Sequence, residues 1–198
     1  MADLVNSLVS NGREERNVEF KRTMNWSDAS TKSKVVKSSM AMANLRDGGF
    51  IVFGVERQPD DSYVAVGMAS DDYDSFRQDD VSMEVNNYAD PFIELIVQKG
   101  ESNSKLFVVL EIREFFDSPV ICKRDGADRL RTGAIYTRPR RKIETAELPS
   151  QVDLREILEL AVEKKIRALY SQIERVGARI IALEDSDAKA FAEQLGDL

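Results

Sequence analysis

The 198-residue chain carries 35 acidic and 28 basic side chains, a net charge of −7, 42% apolar residues and no histidine. That length buries a full core and suits one domain plus an appendage. The lack of histidine removes Ser-His-Asp, Cys-His and histidine-based ribonuclease chemistry, together with the common zinc sites. Any catalysis must then rest on carboxylates, lysine, tyrosine or a metal, and carboxylate oxygens favour Mg²⁺ or Mn²⁺.

In chain order, Asp3–Ser10 reads as a short helix stopped by Gly12. No apolar run approaches the roughly 20 residues that span a bilayer, and the first residues lack the basic start and apolar centre of a signal peptide. Val18-Glu19-Phe20-Lys21 alternates as a strand, with Glu19 and Lys21 sharing the face opposite Phe20. Thr23–Ser30 is a polar loop holding Trp26. Ser30 or Thr31 caps a helix to about Asn44, with Val35, Val36, Met40 and Ala43 as its stripe and Lys32, Lys34 and Lys37 on the remainder. Asp47-Gly48-Gly49 turns into an apolar strand, Phe50–Val55, which delivers Glu56 at its end.

A hairpin follows through Pro59-Asp60-Asp61 to Tyr63–Val66. Asp79–Tyr88 reads as a helix ended by Pro91. Phe92–Gln98 and Leu106–Ile112 form antiparallel strands around a polar turn at Gly100–Ser104, and Pro119–Lys123 and Ala134–Arg138 add two more. The lone cysteine, Cys122, reads as a small buried strand residue and fits a reducing cytoplasm.

From Gln151 the pattern is helical, without Gly or Pro until Gly177, which weakens it by roughly 1 kcal/mol. Val162, Ile166, Leu169, Ile173, Val176, Ile180 and Leu183 alternate by fours and threes, a heptad seam with Ile at one core position. Ile at a with Leu at d favours two parallel strands, and Arg179 and Glu184 occupy g and e. The expectation is a homo-oligomer through residues 152–183. A long amphipathic helix folded back on its own domain is the alternative.

Charge is unevenly placed. Acids dominate from Glu56 to Glu101, whereas Lys123, Arg124, Arg129, Arg131, Arg138, Arg140, Arg141 and Lys142 dominate the stretch that follows. Such a basic run can contact phosphate despite an acidic total. Lys123, Arg124, Arg131, Arg138, Arg140, Arg141 and Lys142 are the expected nucleic-acid contacts, with an ordinary solvated edge as the other reading. Trp26 and Tyr136 either stack on unpaired bases or pack into the core. Glu14, Glu19 and Glu56 are expected to converge on a divalent ion beside Lys21, with Glu19 holding the ion and Lys21 stabilising developing negative charge. Read otherwise, Glu-x-Lys is a weak ion pair on a solvated strand.

Glu14-x-x-x-x-Glu19-Phe20-Lys21, Ala43-Asn44-Leu45-Arg46-Asp47-Gly48-Gly49-x-Ile51-x-x-Gly54-Val55-Glu56, Ser118-Pro119-Val120 and Ile135-Tyr136-Thr137-Arg138 occur in that order. Together they resemble the Schlafen-type AlbA-like domain, over about residues 13–145. The resemblance implies an α+β fold, a mostly antiparallel sheet packed by helices, over residues 1–148. Residues 149–198 follow as a long C-terminal coiled-coil-like helical segment. Nucleolytic members of that family use an acidic trio to bind metal and cleave RNA, notably transfer RNA. Carried over, the trio is Glu14, Glu19 and Glu56, and Glu56 stands where those nucleases usually have aspartate. The resemblance therefore implies nucleic-acid binding, RNA ahead of DNA, with Mg²⁺- or Mn²⁺-dependent endoribonuclease activity and a part in bacterial or phage-related defence. The alternative is a non-catalytic dimeric module that senses nucleic acid or nucleotide within a larger complex. The ATP-binding label sometimes given to the family finds no phosphate loop here, since Gly48-Gly49 precedes a strand rather than a helix.

Overall fold

Fourteen elements follow one another along the described residues, 7–8, 14–141 and 143–196 of this computed structural model, with side chains described as far as Val176 except at Ser30. The expected Asp3–Ser10 helix lies largely outside them, although Ser7 and Leu8 are helical. The first half runs β1 (Val18–Lys21), α1 (Ala29–Ala43), β2 (Gly49–Phe53), β3 (Val55–Arg57), β4 (Tyr63–Ala65), α2 (Ser70–Ser75) and α3 (Gln78–Asn86). The second runs β5 (Ala89–Asp90), β6 (Leu95–Ser102), β7 (Lys105–Ile112), β8 (Ile121–Cys122), β9 (Tyr136–Thr137), β10 (Ala146–Glu147) and α4 (Gln151–Gly196). The fold is α+β. No described helix is long and apolar enough to cross a membrane.

The central sheet has the order β1-β2-β7-β6. β1 lies parallel to β2, with Val18 opposite Phe50, and the other two pairings are antiparallel. Alternation along β1 and β2 sends Val18, Phe20 and Val52 to one face, where they bury with Val55, Phe107 and Val109. The other face is covered by α1, whose Val35, Val36 and Met40 are fully buried. Asp28 immediately precedes α1, two residues before the expected Ser30 cap, and its carboxylate accepts a hydrogen bond from the Thr31 hydroxyl.

The expected continuous strand Phe50–Val55 is broken at Gly54. Its φ is +102°, and a Cβ there would lie 2.7 Å from Phe107 Cδ1, so only glycine fits without displacement. The Gly54 N–H bonds the Lys21 and Arg22 carbonyls, and its own carbonyl accepts from Val66 and Gly67. Past this kink the chain leaves the central sheet and pairs β3 with β4.

The β6–β7 turn is tighter than expected. Asn103 and Ser104, at φ +51° and +57°, make it alone, and β6 runs straight through Gly100. β8 pairs with β5, and β9 with β10. Asn44 ties these pieces to α1. Its side chain donates to the Val120 and Tyr136 carbonyls at 2.9 Å and accepts from the Val120 N–H at 2.7 Å. Trp26, Cys122 and Tyr136 are all buried, and Trp26 packs on Phe76. Packing in the core is therefore the outcome for both aromatic residues.

The chain divides into two compact units, residues 1–158 and 159–198. The first two turns of α4 belong to the first unit, held there by a bidentate pairing of Arg16 with Glu156 and by burial of Ile157.

Candidate functional site

Because strand side chains alternate, Glu19 and Lys21 point away from the Phe20 core and toward α1. Lys34, Lys37 and Ser38 stand three and four residues apart on that helix and so share one face. These two surfaces meet across a cleft of about 350 Å³, closed by Glu14, Arg138, Asp128 and the stretch Ile143-Glu144-Thr145.

Glu19 is the hub. One carboxylate oxygen lies 2.6 Å from the Lys21 ammonium and accepts from the Ser38 hydroxyl at 3.1 Å. The other accepts from Arg138 at 2.6 Å. Arg138 is 1% exposed, and its second terminal nitrogen reaches the Val18 and Glu15 carbonyls. On the cleft wall, Thr145 donates to Ser38 at 3.3 Å. Lys37 bonds the carbonyl of Asp128 and its carboxylate, with the ammonium over the Tyr136 ring.

Glu14 accepts the Phe20 N–H at 2.9 Å on the outer edge of β1. Its charge also touches Tyr63, whose hydroxyl pKa is raised first by burial and then by Glu14. Glu56 is placed elsewhere. The Gly54 kink carries it onto the β3–β4 hairpin, where it faces Arg22 at 3.3 Å and does not line the cleft. The structure brings together Glu14, Glu19 and Lys21, and leaves out Glu56.

The arrangement gives Glu19 cationic partners on both carboxylate oxygens. Glu19 is already neutralised by two cations within 2.6 Å, one of them a buried guanidinium that would repel a dication.

The basic run from Lys123 to Lys142 is divided by the fold. Arg138 is not a surface phosphate contact, since it is buried against Glu19. Arg131 pairs with Glu147 and Arg140 with Glu156, both from exposed positions. Arg124 lies over the Tyr88 ring at 4.2 Å, and Lys123 and Arg141 are exposed. Lys142 lies outside the described residues. The sequence reading missed Lys34, Lys37, Ser38, Asp128, Glu144 and Thr145. Only the first three left a signal, the helical spacing of a Lys-x-x-Lys-Ser face.

The family described as Schlafen, AlbA_2 matches residues 14–147. Among solved structures, the DIP2311 protein of Corynebacterium diphtheriae is similar at 12% identity and a TM-score of 0.49, over 77% of this chain and 27% of that one. The N-terminal domain of an ATP-dependent DNA helicase RecG-related protein from Nitrosomonas europaea is similar at 23% identity and a TM-score of 0.46, over 67% of this chain and 88% of that one. Curated proteins give no match.

Proposed function

The chain belongs to the Schlafen AlbA_2 family, and from that premise we propose that it binds nucleic acid by its phosphate backbone along the cleft between β1 and α1. The supporting observation is that Lys21, Lys34 and Lys37 converge there from a strand and a helix, with Arg138 behind them. Carboxylates hold Lys21 and Lys37 in fixed positions, while Lys34 is exposed at the mouth. Arg140 and Arg141 are exposed in the segment between Arg138 and the Ile143–Thr145 wall. A local cationic rim of this kind attracts a polyanion despite the net charge of −7.

RNA is the polymer held first and DNA the control, and a pair of chains is the acting species. Binding without hydrolysis is the preferred form, because Glu19 already serves Arg138 and Lys21. The test is fluorescence anisotropy with labelled single-stranded RNA, the matching DNA and a transfer RNA, with and without Mn²⁺. Affinity should fall steeply as salt rises, and by at least about tenfold in the double variant Lys34→Glu/Arg141→Glu, the cost of two phosphate contacts. Unchanged affinity in that variant would refute the cleft. RNA cleavage in Mn²⁺ that disappears in Glu14→Gln would replace the binding reading with the endoribonuclease one.

A further inference from the structure

We propose that a second copy of this chain covers the apolar stripe of α4, forming a parallel two-stranded coiled coil from Val162 to Leu183. The second unit is the helix alone, so it contains no other element against which the stripe could be buried. Val162, Ile166, Leu169, Ile173 and Val176 are each between 48 and 59% exposed, and they recur at the alternating spacing of a heptad seam. No charged residue occupies a seam position between Val162 and Leu183.

Several features select a like chain over other occupants. A two-fold axis sets each seam residue against its own equivalent, so Ile meets Ile and Leu meets Leu. Ile at all three a positions with Leu169 and Leu183 at d follows the two-stranded pattern, and Val162 and Val176 are the β-branched d residues that depart from it. The flanking charges also match. By sequence position Arg179 falls at g and Glu184 at the following e, so each faces the opposite sign across a parallel pair, and no like-charged g–e pair arises along the seam. A parallel pair joins both N-terminal units to the same end of the coil. If those units bind nucleic acid as proposed above, the pair binds bivalently.

Sedimentation velocity on the full chain at micromolar concentration tests the pairing without reference to nucleic acid. The wild type is expected at twice the 22.3 kDa chain mass, and Ile166→Asp/Ile173→Asp at the single-chain mass with the thermal unfolding of the first unit unchanged. In a Cys122→Ala background, Val162→Cys should crosslink to its own equivalent on mild oxidation. An antiparallel pair would instead place Val162 opposite Leu183, about 31 Å along the helix. A monomeric wild type, a trimer or tetramer, a dimer that survives the double aspartate variant, or a dimer that Val162→Cys leaves uncrosslinked would each overturn the proposal. Loss of RNA binding with an unchanged dimer mass would count against the cleft and not against the coil.

Discussion

In Glu19→Gln the side chain keeps its shape and loses its charge, leaving Arg138 inside the protein without a counter-ion. Arg138 is 1% exposed, and its remaining partners are the Val18 carbonyl at 3.3 Å and the Glu15 carbonyl at 3.4 Å. Removing one member of a buried pair costs about 3–5 kcal/mol. The glutamine oxygen can still accept one bond, and Glu19 itself is 12% exposed, which favours the lower end, about 3 kcal/mol. For a domain of this size each kcal/mol moves Tm by about 2–4 °C, so a loss of roughly 10 °C is expected. Thermal and urea unfolding followed by circular dichroism would measure it, with an unchanged urea slope showing that the native fold persists. Arg138→Met supplies the second edge of a cycle, and the double variant should be less destabilised than the two singles added, by more than about 1 kcal/mol. A Glu19→Gln protein within about 0.5 kcal/mol of wild type, or an additive cycle, would show that Glu19 does not anchor Arg138.

Two further outcomes follow from local geometry. The Glu156 carboxyl titrates below its ordinary value, chiefly through the hydrogen bond from Arg16, with Arg140 assisting. A depressed pKa stabilises the fold above the unfolded value and loses that contribution as pH falls through the folded one. Near pH 7 wild type should therefore be more stable to urea than Glu156→Gln, by less than about 1 kcal/mol for a partly exposed pair. The two midpoints should converge in acid, and a gap that widens there would refute the pairing. Gly54→Ala must place a Cβ against Phe107 at φ +102°, and should cost about 3 kcal/mol. A midpoint equal to that of the wild type would show that the kink does not require glycine.

The strand Val18–Lys21, the helix ending near Asn44 and the strand near Leu106–Ile112 were all legible, because each carries its periodicity within a few residues. The four-stranded order was not, since pairing depends on contacts far apart in sequence. Phe50–Val55 read as one strand because its apolar run is unbroken in hydropathy. Gly54 marks the break only through its backbone, and that single residue decides where Glu56 goes. Arg138 read as a surface base for a related reason. Basic residues in a run look alike in sequence, and burial of one of them depends on Glu19, 119 positions away.

Most of the residues that carry the family resemblance are accounted for by the fold itself. Asn44 joins α1 to β8 and β9. A Cβ on Gly48 would meet the Ile112 carbonyl at 2.0 Å, and one on Gly49 the Met42 sulfur at 2.4 Å. Arg138 holds Glu19 and the carbonyls beneath β1. A sequence can therefore satisfy the motif for reasons of folding, and the motif by itself transmits an architecture rather than a reaction. What distinguishes this chain must come from groups that architecture leaves to face the cleft and its rim. Those are Lys34 and Lys37 on α1, which line the cleft, and the exposed Arg140 and Arg141 beyond β9. Three of these four, Lys34, Arg140 and Arg141, are exposed cations, the charge that recognition of a polyanion uses.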